Sequence, residues 1–65
     1  MNMELKIYLV KNRYTVKQFS EKIGYSRNQI SGIANRKIKP SQRLARIIET
    51  ATNGDVKAED LLKEE

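Results

Sequence analysis

The stretch that most constrains this sequence is Thr15 to Ile33, where two short helical patterns meet at Gly24 with almost no chain between them. Thr15 and Gln18 have capping-box spacing: the hydroxyl accepts a backbone N–H and the amide side chain reaches back to the cap. Val16, Phe19, Ser20 and Ile23 follow at helical intervals, which predicts a helix over about 16–23. Gly24 supplies a left-handed residue that stops this helix without a Cβ penalty. Ser26 and Gln29 repeat the capping-box spacing, and Ile30 and Ile33 mark the inward side of a second helix over about 27–35. A corner this tight dictates its own packing. Phe19 and Ile23 must meet Ile30 and Ile33, Ser20 must be small where the helices converge, and Tyr25 can lay its ring over the turn.

The remaining segments are also helical in pattern. Over about 2–12, Leu5, Tyr8, Leu9 and Asn12 share one face, and Met3, Ile7 and Val10 form a second apolar stripe beside it. After the second helix of the corner comes a basic loop, Arg36 to Lys39, closed by Pro40, which biases Lys39 away from helix. Ser41 caps a helix over about 42–52 that buries Leu44, Ala45, Ile48 and Ala51, with Ile47 adjacent. Asn53-Gly54 is a turn signal, and Val56 is expected in a brief extended segment. A short helix over about 58–63 follows, anchored by Leu61 and Leu62, with Glu59 and Asp60 at the end where the helix dipole favours them. Neither Asp55 nor Lys57 is a good cap for it. Glu64 and Glu65 are expected to fray. No strand-like alternation persists, so the expected fold is all-α: one compact domain of five helices.

Composition removes several functions. A chain of 65 residues supports one domain, and a domain of that size buries only about 60% of the surface its unfolded chain exposes. A second subunit would help it. Cysteine and histidine are both absent, which removes thiolate chemistry, the commonest metal ligand and the usual general base near neutral pH. So small a chain has little room for a closed, dry pocket. An enzyme, a cofactor, a metal site and a small-molecule ligand are therefore not expected. No apolar run approaches the roughly 20 residues that cross a bilayer, and no signal peptide is visible, so the expected location is the cytoplasm.

Charge is unevenly divided. Residues 6–46 hold eleven lysines and arginines against a single acid, Glu21, a net of +10, while residues 47–65 carry −4. A basic body beside an acidic end suits a polyanion partner for the first part alone. A merely solvated basic surface fits the composition equally well.

The outward face of the helix over 27–35 separates these readings. An ordinary helical corner would show mixed surface residues there. Instead the face carries Ser26, Arg27, Asn28, Ser31, Gly32 and Asn35, with no acid and no large apolar residue. This is a helix-turn-helix layout, and short hydrogen-bonding groups with an arginine at the helix start are what a major-groove reader presents. Arg27 leads the candidates for base contact, since its fork matches guanine O6 and N7; a phosphate contact is its competing role. Asn28 suits adenine or a phosphate, and Ser31 a base edge or a thymine methyl. Backbone contacts are assigned to Lys17, Ser26, Asn35, Arg36, Lys37, Lys39, Ser41 and Arg43, with Ser26 first a cap and Asn35 a phosphate contact or a cap. Lys6, Lys11, Lys22 and Arg46 read as ordinary surface charge. Gly32 either admits DNA closely or is tolerated on an exposed face.

The run TVKQFSEKIGYSRNQISGI, the following Lys39-Pro40-Ser41, and Ala51-Thr-Asn-Gly-Asp-Val with Leu61-Leu62 resemble the Cro/C1 (XRE) regulators of phages and bacteria over about residues 4–62. The resemblance implies a five-helix, lambda-repressor-like domain. It also implies a sequence-specific transcriptional regulator, usually a repressor, that binds double-stranded DNA as a homodimer on a pseudo-palindromic operator. Two positions depart from the pattern. Val16 stands where the family often has a phosphate-contacting glutamine, and Leu9 where helix 1 commonly has an arginine. For the twofold contact, the stripe of Met3, Ile7 and Val10 competes with Ile47, Leu61 and Leu62. A different reading is an antitoxin-like or accessory protein of the same fold that acts mainly through a protein partner.

Overall fold

The computed structural model describes residues 4–63, so Asn2, Met3, Glu64 and Glu65 lie outside the described residues. Five helices follow one another: α1 (Leu5–Lys11), α2 (Val16–Ile23), α3 (Arg27–Ala34), α4 (Gln42–Ala51) and α5 (Ala58–Leu62). No strand occurs among the described residues. The fold is the lambda-repressor-like helix-turn-helix arrangement. α3 packs on α1 and α2, α4 packs on α2, and α5 packs on α4.

The core takes residues from every segment except α5. Leu5, Tyr8 and Leu9 of α1, Phe19 of α2, Ile30 and Ile33 of α3, Leu44 and Ile48 of α4, and Val56 before α5 are all buried in one cluster. Phe19 sits at its centre with no exposed surface. Its ring meets Tyr8 and Tyr14 edge-on, at centroid distances of 6.2 and 5.9 Å. Edge-to-face geometry sets the positive ring edge of one residue against the negative face of the next, and here it pins α1 to α2. Ile23, Tyr25, Ala51 and Leu61 pack partly buried around the cluster. Leu9 is in the core, so the position where the family commonly has an arginine contributes packing here.

The helix stops explain where each element ends. α1, α2, α3 and α4 all finish on a left-handed residue, but only α2 uses glycine, Gly24 at φ 78°. Arg13, Arg36 and Asn53 take the same conformation at φ 59°, 59° and 55°. Each of these three makes the paired bonds of a Schellman stop: Tyr14 N–H to Leu9 O (2.8 Å), Lys37 N–H to Gly32 O (2.8 Å) and Gly54 N–H to Glu49 O (2.8 Å), each joined by a second bond one residue inward.

Several boundaries differ from expectation. Glu4 already has extended backbone, so α1 begins at Leu5. Asn12, Asn35, Thr52 and Lys63 are caps with non-helical backbone and not the last helical residues. Thr15 and Gln18 form the full capping box. At Ser26 only half of it forms: the hydroxyl accepts the Gln29 N–H at 3.2 Å, while the half-buried Gln29 side chain makes no return bond to the cap. Val56 lies in a bend, not an extended segment, and is held there by its N–H donating to the buried Thr52 hydroxyl at 3.1 Å. The cap that α5 lacks locally comes from α4, where Glu49 Oε1 accepts the Ala58 N–H at 2.7 Å.

Candidate nucleic-acid interface

α3 is two-sided. Ile30 and Ile33 are buried in the core, which turns Arg27, Asn28, Ser31 and Asn35 away from it along the opposite side. Arg27, Asn28 and Asn35 are exposed and Ser31 is half-buried. The face is held rigidly from both ends. Ser26 caps the start through Gln29 N–H. Asn35 closes the end, its side-chain amide donating to the Ser31 carbonyl at 3.0 Å, so of its two expected roles the free protein shows the cap.

The cations assigned to the backbone surround this helix in sequence and are all exposed: Lys17 at the start of α2, Arg36, Lys37 and Lys39 in the loop after α3, and Arg43 in the first turn of α4. Ser41 caps α4 by accepting the Leu44 N–H at 3.2 Å, a role that does not use its own O–H donor. Arg36 carries a carboxylate beside it, with Glu4 Oε1 2.8 Å from its guanidinium and both side chains about half exposed. Val16, next to Lys17, is half-buried against the core and therefore does not stand in for the glutamine the family often carries there.

Two features were not visible in the sequence. The first is Ile38, a large apolar residue 46% exposed in the middle of the cationic loop. Its side chain lies over Gly32, which is half-buried beneath it and not on an open face, so a Cβ at that position would overlap Ile38. The second is an open groove of about 550 Å³ between α2 and α4, lined by Ile23, Ile47 and Ala51 together with Lys22, Arg43 and Arg46. Lys22 is more than surface charge. It stands 5.2 Å from the Tyr14 ring centre and donates to the Tyr14 hydroxyl at 3.1 Å, and that hydrogen bond raises its pKa above the ordinary lysine value.

A Helix-turn-helix family model matches residues 5–57, most of the chain. The chain belongs to the Cro/C1-type (XRE) helix-turn-helix family. This is a family of DNA-binding transcriptional regulators, and that general role follows for this member. No curated protein and no solved structure matches the chain. Among the described residues of this Cro/C1-type protein, no helix is long and apolar enough to cross a membrane.

Proposed function

We propose that this Cro/C1-type protein is a repressor that binds a pseudo-palindromic operator as a dimer, with α3 as the recognition helix in the major groove. One observation carries the reading: the side of α3 opposite the core keeps Arg27 and Asn28 exposed at its N-terminal end, with no acidic residue on the face. Arg27 reads guanine through its bidentate fork, while Asn28 and Ser31 read neighbouring base edges. Lys17, Arg36, Lys37, Lys39 and Arg43, with Ser26, Asn35 and Ser41 beside them, position the helix on the phosphates. Repression follows from occupancy, because a dimer seated on promoter DNA excludes the polymerase.

The dimer rests on α1. Ile7 and Val10 are 53% and 75% exposed, whereas Ile47, Leu61 and Leu62 are half-buried in their own chain. The apolar surface left uncovered therefore favours the α1 stripe over the α4–α5 side as the twofold contact.

Selection from random duplex DNA tests the proposal. The expected outcome is an enriched motif with two inverted half-sites one helical turn apart, roughly 34 Å centre to centre. Arg27→Ala is expected to lose about 1–3 kcal/mol of binding and to relax preference at one base position in each half-site. Equal weakening on every sequence would move Arg27 to the phosphate backbone. Failure to enrich any motif would overturn the reading in favour of a chain that works through a protein partner.

A further inference from the structure

Ile38 occupies the place of a missing side chain on α3. A Cβ added at Gly32 would overlap the Ile38 Cδ1 methyl, and would lie 2.7 Å from its Cγ1 and 3.2 Å from its Cβ. The loop backbone is locked in this position, since the N–H groups of Lys37 and Ile38 both donate to the Gly32 carbonyl, at 2.8 and 3.1 Å. Ile38 is β-branched and therefore stiff about its first side-chain torsion. Position 32 stands next to Ser31 and one helical turn after Asn28, on the outward half of α3. The chain has thus given up a side chain at position 32, at a cost to helix stability of about 1 kcal/mol relative to alanine, and seated an isoleucine from the following loop in its place.

The seat does not bury that isoleucine. Ile38 remains 46% exposed, one of three large apolar residues so exposed among the described residues, and the other two, Ile7 and Val10, belong to α1. Arg36, Lys37 and Lys39 flank it in sequence. If only closure of the helix end were needed, a cationic loop beside a groove-reading helix would do better with a polar side chain at this position. A half-exposed apolar group in that setting has one natural counterpart on DNA. Among the base edges of the major groove, the thymine C5-methyl is the apolar feature.

We propose that Ile38 is a specificity-determining residue of this protein, whose exposed side-chain surface packs against a thymine C5-methyl in each half-site. The inference rests on α3 being the recognition helix, as proposed above. It adds an apolar contact from the loop to the polar set of Arg27, Asn28 and Ser31, and it assigns Gly32 the task of making room for that contact.

The experiment uses the full chain and the motif enriched from random DNA. Each thymine of one half-site is replaced in turn by deoxyuridine, which keeps every hydrogen-bonding group and removes only the methyl. Binding is measured for the unaltered protein and for Ile38→Ala. One replacement is expected to weaken the unaltered protein about fourfold, the loss that goes with uncovering one methyl-sized group. The same replacement is expected to leave Ile38→Ala binding unchanged. Should Ile38→Ala fail to fold, Ile38→Val, which lacks only the Cδ1 methyl, gives the same comparison with a smaller difference. An enriched motif in which no uridine replacement distinguishes the two proteins, or one that contains no thymine preference, overturns the role of Ile38 and leaves α3 as the reader. If no motif is enriched, the docking of α3 falls first and Ile38 with it.

Discussion

At the residue scale, the least expected devices are the left-handed arginines. An L-residue with a side chain in that conformation places its Cβ against a carbonyl and costs roughly 1–2 kcal/mol relative to glycine. Arg13 holds φ 59° and is exposed, so Arg13→Gly removes the strain. Glycine's greater freedom in the unfolded chain offsets part of the gain. The net expectation is a stabilisation of up to about 1 kcal/mol, seen as a rise of roughly 4–8 °C in the thermal midpoint of a domain this size. Arg36 has the same backbone geometry but also pairs with Glu4. Glycine there loses a half-exposed ion pair worth at most about 1 kcal/mol, so its gain is smaller. Circular dichroism melts of both variants check the ordering; a lower midpoint for Arg13→Gly would mean that the guanidinium contributes more than the backbone strain costs.

At the scale of the elements, α5 depends on a contact made nine residues away. It has five residues and no cap from its own segment. The Glu49 carboxylate accepts its first N–H at 2.7 Å, and Thr52 anchors Val56 just before it. Glu49→Ala leaves that N–H without its charged acceptor and is expected to cost about 1–2 kcal/mol in urea unfolding. Glu49→Gln keeps an acceptor and is expected to recover part of that loss. DNA binding by folded protein is expected to be unchanged in both, because α5 packs chiefly on α4 and neither Glu49 nor α5 is among the residues proposed to contact DNA. These two cases also mark how far the elements were legible in the sequence. Caps and stops that are local, such as Thr15 with Gln18 or Gly24, could be read directly because their chemistry fits within four residues. The cap on α5 was opaque because its acceptor sits on a different helix, and Asp55 and Lys57, the nearby residues, gave no hint of it. The stops at Arg13 and Arg36 were opaque because arginine has no preference for positive φ; only the hydrogen-bond pairing forces it there. On the candidate interface, the polar stripe of α3 was legible from helical periodicity once Ile30 and Ile33 were assigned inward. Ile38 was not, because the contact joins a loop to a helix, and spacing along one helix says nothing about what a loop lays across it.

For the whole molecule, the division of charge sets how binding responds to salt. The basic portion, residues 6–46, contains α1, α2, α3 and the first half of α4, so the net of +10 lies in the part that holds the helix-turn-helix. The acidic portion supplies the rest of α4 and α5, which brace the core and add no positive charge. Binding that neutralises phosphates releases counterions, and each neutralised phosphate steepens the dependence of log affinity on log salt by about 0.9. Lys37 tests both the contact and the stoichiometry. It is exposed in the loop whose backbone is fixed on Gly32, so Lys37→Gln removes one charge with little cause to disturb the fold. If Lys37 touches phosphate and the protein binds as a dimer, the salt slope on a full operator is expected to fall by about two, and on an isolated half-site by about one. Fluorescence titrations of both DNAs across a range of potassium chloride concentrations measure the two slopes. An unchanged slope on both would return Lys37 to solvent, while a fall of about one on the full operator would mean that one protomer binds where two were proposed. In the dimer case, Val10→Asp is expected to bring the full-operator slope down to the half-site value, because it places a carboxylate on the most exposed apolar position of the surface proposed to join the two protomers.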